Sequence, residues 1–364
     1  MSTIVLMAGG TGGHLFPAMA LAQELRRRGH TIHLMTDHRV GAYGDFPASK
    51  IHVVPSATPS VRNPLRMVAA SFKILYGIAV AWLKLRRIRP AVVVGFGGYP
   101  VFPPFLAARL LGIPGVLHEQ NAVMGRANRA LGRYASRIAL SFARTHYAEP
   151  FAGKSVLTGN PVRDSVRAEA LVDYPPLTAD GTLQLVVFGG SQGARAFADL
   201  VPPAIAELPE ALRHRLRIVQ QCRPEDLVRV TEAYRQAKVN VELQPFFSDL
   251  PVRMAAAHLV IARAGASTVA ELTVLGRPAI LVPLPGSIDG DQKNNALVVD
   301  AAGGGWIVEQ ATISPPSLAN RLASLFGEPA TLTAAAAAAR ALGQPRAVEQ
   351  LADLVDGAGG GKTA

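Results

Sequence analysis

Two glycine-rich runs carry the clearest chemical potential in this chain. They are Gly9-Gly10-Thr11-Gly12-Gly13 and Gly189-Gly190-Ser191-Gln192-Gly193, and each links an apolar run to a helix-like stretch. Glycine lets a backbone approach an anion closely, and the unpaired N–H groups of a helix start point at it. One such turn is ambiguous, because tight strand–helix turns use glycine for steric reasons as well. Two of them, each opening the first helix of its half, predict two sites for phosphate-bearing ligands. His14 directly follows the first run. An imidazole with a pKa near 6.5 can accept a hydroxyl proton close to neutral pH. It is the candidate general base, or else it only binds phosphate or caps the helix. Glu119 is the reserve base, unless its strand-end position is structural.

Several look-alike motifs carry less. The dinucleotide fingerprint fails, because Leu15 occupies the place of its third glycine. The 357–363 run lacks P-loop spacing and reads as part of a disordered tail. Asp289-Gly290-Asp291 is explained by capping of the following helix, so no metal is assigned.

These loops need elements to hold them. Strand-like runs at 4–8, 31–36, 91–95, 116–118 and 137–141 alternate with helical stretches, such as the apolar period of Ala18, Leu21, Ala22 and Leu25. The pattern restarts at 183–188 and continues through 216–220, 239–243, 259–262, 279–283 and 306–308. The segment from Leu6 to Gly13 parallels that from Val186 to Gly193 at an offset of 180 residues. The fold class is therefore α/β: two Rossmann-like, doubly wound parallel-sheet domains facing a central cleft. A Pro-rich linker is expected near 173–181. Helices are expected at 332–342 and 346–355, the second able to pack back on the first domain.

Composition narrows the function. The chain has 364 residues, 49% hydrophobic and 17% charged, enough for two cores. Its one cysteine, Cys222, excludes an internal disulfide framework. No secretory signal is read at the start. The uncharged stretch 90–108 is span-length, but its prolines and glycines read as strand, loop and helix start. The net charge of +11 suits nucleic acid or anionic lipid headgroups, and no nucleic-acid-binding signature favours the first. Residues 65–89 mix Phe72, Leu75, Trp82 and Leu83 with Lys73, Lys84, Arg86 and Arg87. This suits a helix lying in a headgroup layer, or equally a core helix with a basic end.

Six motifs now stand in order: Gly9 to His14, His118-Glu119-Gln120-Asn121, Gly159-Asn160-Pro161-Val162-Arg163, Gly189 to Gly193, Arg263 to Glu271, and Asp291-Gln292-x-x-Asn295-Ala296. Their order and spacing resemble the MurG family of N-acetylglucosaminyltransferases across roughly residues 4–310. The resemblance implies a GT-B fold, with domains at 1–163 and 164–342, a helix at 343–356 returning to the first, and a tail at 357–364.

It also implies inverting transfer of N-acetylglucosamine from UDP-N-acetylglucosamine to the C4 hydroxyl of the muramyl sugar of undecaprenyl-pyrophosphoryl-MurNAc-pentapeptide, lipid I. The products would be lipid II, for peptidoglycan synthesis, and UDP. The implied donor contacts are Thr11, Gly12, Gly13, Asn121, Arg163, Ser191, Gln192, Phe247, Ala266, Ser267, Thr268, Glu271, Gln292 and Asn295. Ser191 and Gln192 would hold the diphosphate and Glu271 the ribose. Arg163 and the backbone around Phe247 would lie against uracil, and Gln292 and Asn295 would read the sugar. Gly10, Thr11, Gly12 and Gly13 would face the acceptor pyrophosphate. The resemblance implies no cofactor, no nucleic acid, and peripheral attachment to the cytoplasmic face of the cell membrane. The 289–293 loop departs from the usual family string, which touches sugar contacts rather than class. A UDP-sugar epimerase, an NAD-dependent oxidoreductase and a nucleotide-binding module are the competing readings.

Overall fold

The structure, a computed structural model, describes residues 1–9, 12–38, 46–57, 64–190 and 194–360. The chain divides into two compact units: Met1–Arg163 together with Pro345–Ala364, and Asp164–Gln344.

Unit 1 runs β1 (Thr3–Met7), α1 (Gly12–Arg27), β2 (Thr31–Thr36), β3 (Lys50–Val53), α2 (Pro64–Ile88), β4 (Val92–Gly95), α3 (Phe102–Leu110), β5 (Gly115–Glu119), α4 (Arg126–Leu131), β6 (Arg137–Leu140) and β7 (Ser155–Leu157). Among the described residues its sheet has seven parallel strands in the order β3-β2-β1-β4-β5-β6-β7. The strands alternate their side chains between two cores. Ile4 and Leu6 face α1, while Val5 and Met7 face the side covered by Ala81 and Leu85 of α2 and Phe105 of α3. Apolar residues on both faces are what a parallel sheet covered on both sides requires.

Unit 2 runs α5 (Asp164–Ala168), β8 (Leu183–Phe188), α6 (Arg195–Ala206), α7 (Glu210–Arg215), β9 (Leu216–Gln221), α8 (Leu227–Gln236), β10 (Asn240–Gln244), α9 (Leu250–Ala255), β11 (Leu259–Ala262), α10 (Ala266–Leu275), β12 (Ala279–Leu281), α11 (Asp291–Ala301), β13 (Gly305–Ile307), α12 (Pro315–Gly327) and α13 (Pro329–Leu342). Among the described residues its sheet has six parallel strands, ordered β10-β9-β8-β11-β12-β13. A last helix, α14 (Ala347–Gly359), belongs to unit 1. Its Leu351, Ala352 and Val355 complete the core over α1, and Arg28 donates to Asp353 (2.7 Å) and Asp356 (3.0 Å). Residues 357–359, expected in a disordered tail, form its last turn; 361–364 lie outside the described residues.

Two features differ from the sequence reading. The short outer strands β3 and β7 were not anticipated. The segment expected as a linker is instead a strap on unit 2. Arg340 donates to the carbonyls of Ala170 and Val172, Arg277 to Val172 and Asp173, and Arg215 to Thr178 and Gly181. A segment with prolines has no sheet ladder, so guanidinium groups supply the donors its carbonyls need. The stretch 90–108 is strand, loop and helix start, as the sequence reads, with β4 followed by α3 from Phe102. Among the described residues the helix long and apolar enough to cross a membrane, by length and composition, is Met67–Ile88, within the 65–89 segment singled out above. It lies along unit 1, with Gly77 pressed against Pro55: a Cβ there would approach the Pro55 carbonyl oxygen at an impossible separation. Its opposite face leaves Phe72, Leu75 and Tyr76 over 60% exposed. Beneath the same helix, on β2 and β3, the His33 and His52 rings lie nearly parallel with Nδ1 and Nε2 3.0 Å apart.

Candidate active site at two topological switch points

In each sheet the chain steps outward on one side and then crosses back to the other. The reversals fall between β1 and β4, and between β8 and β11. Ligands of open α/β sheets bind in the crevice beyond the strand ends at such points. Both glycine runs of the sequence emerge there.

In unit 1, α1 starts at Gly12 and carries His14 in its first turn, with no acidic residue beside it. Gly10 and Thr11 lie outside the described residues. Glycines from two loops cradle the His14 ring. A Cβ on Gly9 would lie 3.6 Å from Nδ1, one on Gly97 3.3 Å from Nε2, and one on Gly98 3.5 Å from Cε1. Gly97 and Gly98 have φ of +84° and +78°, a region other residues rarely adopt. Sequence reasoning missed this second loop. Its signal was a pair of glycines one residue past the apolar run at 91–95. Gly13 has open space where its Cβ would be.

The His118-Glu119-Gln120-Asn121 motif ends β5. Glu119 is buried, and N–H donors occupy both its oxygens. Oε1 accepts from the Asn121 backbone (3.0 Å), and Oε2 from the Gly125 backbone (2.9 Å) and Asn128 Nδ2 (2.8 Å). Burial pushes its pKa up against the pull of these donors. A carboxylate so enclosed has no free edge for a substrate proton, which removes the reason for holding it as reserve base. It shapes the loop that starts α4. Asn121 is half-buried beside it. Arg163 lies with its guanidinium 5.0 Å from the Phe16 ring, which itself packs on Gly12, so this residue borders the first glycine turn.

In unit 2, Gly189 donates to Gln221 Oε1 (3.1 Å), and Gln221 donates on to the Pro245 carbonyl. Gly190 has φ +86°. Ser191 and Gln192 lie outside the described residues. Phe247 is buried under Arg253, while its neighbour Phe246 is exposed. On the other side of the reversal, buried Arg263 braces the end of β11 by donating to the carbonyls of Val282 and Pro283. Helix α10 then opens with Gly265 as N-cap and no side-chain acceptor over its first amides. Ala266, Ser267 and Thr268 form that first turn, and among the described residues the buried Ser267 Oγ has no partner. Glu271, also buried, follows within the same helix.

Two further candidates are committed to the scaffold. Gln292 Oε1 accepts from the Leu284 backbone (2.9 Å). Asn295 is wholly buried, with Nδ2 donating to the Ala264 carbonyl (3.1 Å). The expectation that Asn295 reads a sugar hydroxyl gives way to an anchor of the β11–α10 turn. Among the described residues no three His, Cys, Asp or Glu side chains gather to hold a metal ion.

Residues 4–140 match the glycosyltransferase family 28 N-terminal domain, and residues 184–351 its C-terminal domain. A relative from Methylobacterium nodulans is 56% identical over 97% of this chain and 95% of its own length. It is named UDP-N-acetylglucosamine–N-acetylmuramyl-(pentapeptide) pyrophosphoryl-undecaprenol N-acetylglucosamine transferase. One of the same name from Agrobacterium fabrum is 48% identical over 99% of this chain and 95% of that protein. A crystal structure of MurG from Acinetobacter baumannii is similar with a TM-score of 0.80 and 32% identity, covering 98% of this chain and 100% of that one. The chain belongs to glycosyltransferase family 28 and, within it, to the MurG family of N-acetylglucosamine transferases.

Proposed function

We propose that this protein transfers N-acetylglucosamine from UDP-N-acetylglucosamine to the C4 hydroxyl of the muramyl sugar of lipid I, with inversion, releasing UDP and lipid II. The observation that carries the reading is the start of α10: a first turn with no side-chain cap on Gly265, a buried Ser267 hydroxyl without a partner among the described residues, and a buried carboxylate at Glu271. That set suits a nucleoside diphosphate, with phosphoryl oxygens on the amides and hydroxyl and ribose hydroxyls on the carboxylate.

Ala266, Ser267 and Thr268, with Ser191 and Gln192, bind the diphosphate in this scheme. Their dipoles meet the charge that grows on departing UDP. Arg163 and the backbone near Phe247 bind uracil; Asn121 and the Gln292 amide reach the sugar. The amides of Gly10 to Gly13 hold the acceptor pyrophosphate. His14 takes the proton of the attacking hydroxyl while the C1–O bond to UDP breaks on the opposite face. The glycine cradle fixes its ring for that transfer. UDP-N-acetylglucosamine is a substrate, and no cofactor is invoked. The exposed apolar face of α2, with Lys73, Arg86 and Arg87 around it, docks on anionic headgroups at the cytoplasmic face of the cell membrane, where the acceptor lies.

The test supplies radiolabelled UDP-N-acetylglucosamine with and without lipid I. Label should enter lipid only when lipid I is present. His14→Ala should reduce kcat about 100-fold or more, the usual worth of a general base. Glu271→Ala should chiefly raise the KM for the donor. Conversion of the UDP-sugar without acceptor, or full turnover by His14→Ala, would overturn the scheme.

A further inference from the structure

A buried polar side chain at the end of β5 is left unused by the scheme above. His118 is wholly buried, and its ring touches three loops at once. Nε2 lies 3.1 Å from the carbonyl oxygen of Gly159, in the loop after β7. A carbonyl only accepts, so Nε2 carries the proton and donates. Nδ1 then accepts from Gln120 Nε2 at 2.9 Å, and the same amide also donates to the His118 carbonyl. The ring face packs on Phe96, centroids 5.4 Å apart, and Phe96 directly precedes the two glycines against His14.

Backbone bonds from the strand ends hold only the first residues of these loops. The parallel ladder ends at Glu119 opposite Leu140, and at Leu140 opposite Leu157. Just past those pairs the backbones of Ser141, Thr158 and Gly159 still donate to Glu119 and Leu140, and the Gly159 carbonyl then accepts from Thr158 Oγ1 (3.2 Å) and from the His118 ring. Gly159 sits at φ +80°, and His118 reaches its carbonyl past the end of β6. One imidazole thus ties together the segments bearing His14's cradle, Asn121 and Arg163.

We propose that His118 is a positioning residue for the transfer reaction, holding the loops after β4, β5 and β7 in the one arrangement in which His14, Asn121 and Arg163 can act together. This rests on the roles given to those three residues above. Burial pushes the His118 imidazole down to about 4, so it stays neutral, and keeps this tautomer, throughout the physiological range.

Two variants of the full chain test it, His118→Leu and His118→Gln. Glutamine can still donate from its amide nitrogen toward Gly159; leucine fills space but donates nothing. Kinetics are normalised to the folded fraction, with UDP-N-acetylglucosamine and lipid I as substrates. His118→Leu should lower kcat/KM about 100-fold, the scale of an ångström-sized misplacement, while His118→Gln recovers most of it. Amide exchange at Phe96–Tyr99, Gln120–Met124 and Thr158–Val162 should rise together in the leucine variant. Equal kinetics for leucine and wild type would overturn the proposal. So would equal losses for both variants, or a rise in exchange at only one loop. An inactive wild type would instead sink the transfer reading, and the exchange result would still decide the role of His118.

Discussion

The paired histidines under α2 make the protein's response to acid a quantitative test of its packing. His52 is 8% exposed on β3, and its Nε2 shares one proton with His33 Nδ1 on β2. Burial is the largest cause holding His52 low; the charges of Lys84, His33 and Lys50 add to it, and together they bring it to about 4. His33 is also held low, by burial and Lys50. A first proton would preserve an N–H···N contact but place a cation among two ammonium groups. A second would set N–H against N–H.

In the unfolded chain a histidine titrates near its ordinary value, about 6.5. Between that value and about 4 the unfolded chain therefore binds more protons, and native stability falls as pH falls. The contribution is fully present above pH 6.5. Going from pH 7 to pH 5, the depression of His52 alone removes about 2 kcal/mol by linkage; solvent screening at this rim of the sheet trims that to about 1–2 kcal/mol. Amide exchange of β2, β3 and the second half of α2, corrected for intrinsic rates, should rise roughly tenfold over that interval. His52→Phe, which keeps a ring but cannot titrate, should flatten the response. Lys84→Met should weaken it by letting the histidine titrate higher. Equal pH responses in wild type and His52→Phe would refute the assignment of acid sensitivity to this pair.

Two other expectations follow from α2. Gly77→Ala, ordinarily a gain of up to about 1 kcal/mol inside a helix, should instead lower the melting temperature, because the Pro55 carbonyl occupies the space of the new methyl group. A higher melting temperature would contradict that packing. Replacing Phe72 and Leu75 together by Glu should cut cosedimentation with anionic vesicles at least about tenfold without changing the circular dichroism spectrum. Unaltered sedimentation would remove α2 as the docking face.

Much of the fold was readable because buried parallel strands announce themselves as mostly apolar runs. Thr31–Thr36, Leu183–Phe188 and Leu259–Ala262 lie where the sequence puts them. The outer strands β3 and β7 are short and half-polar, so they carried no such signal. The segment expected as a linker near 173–181 was misread for a physical reason: the hydrogen bonds to it and to the residues just before it come from Arg215, Arg277 and Arg340, two of them about a hundred residues or more away in sequence. Local composition cannot register distant donors. At the candidate site, the glycine turns and the α10 motif were legible because their chemistry is local. The cradle of Gly97 and Gly98 around His14, the enclosure of Glu119 and the anchoring of Asn295 were not. Each depends on a neighbour brought close only by the sheet order.

The closure of unit 1 by α14 has a consequence for synthesis on the ribosome. The first 163 residues emerge with an apolar trough over α1 that Leu351, Ala352 and Val355 will later fill. All of unit 2 must be translated before that lid arrives. The unit made first is thus the last to finish folding, and a gene cut between the two halves would leave it permanently gaping.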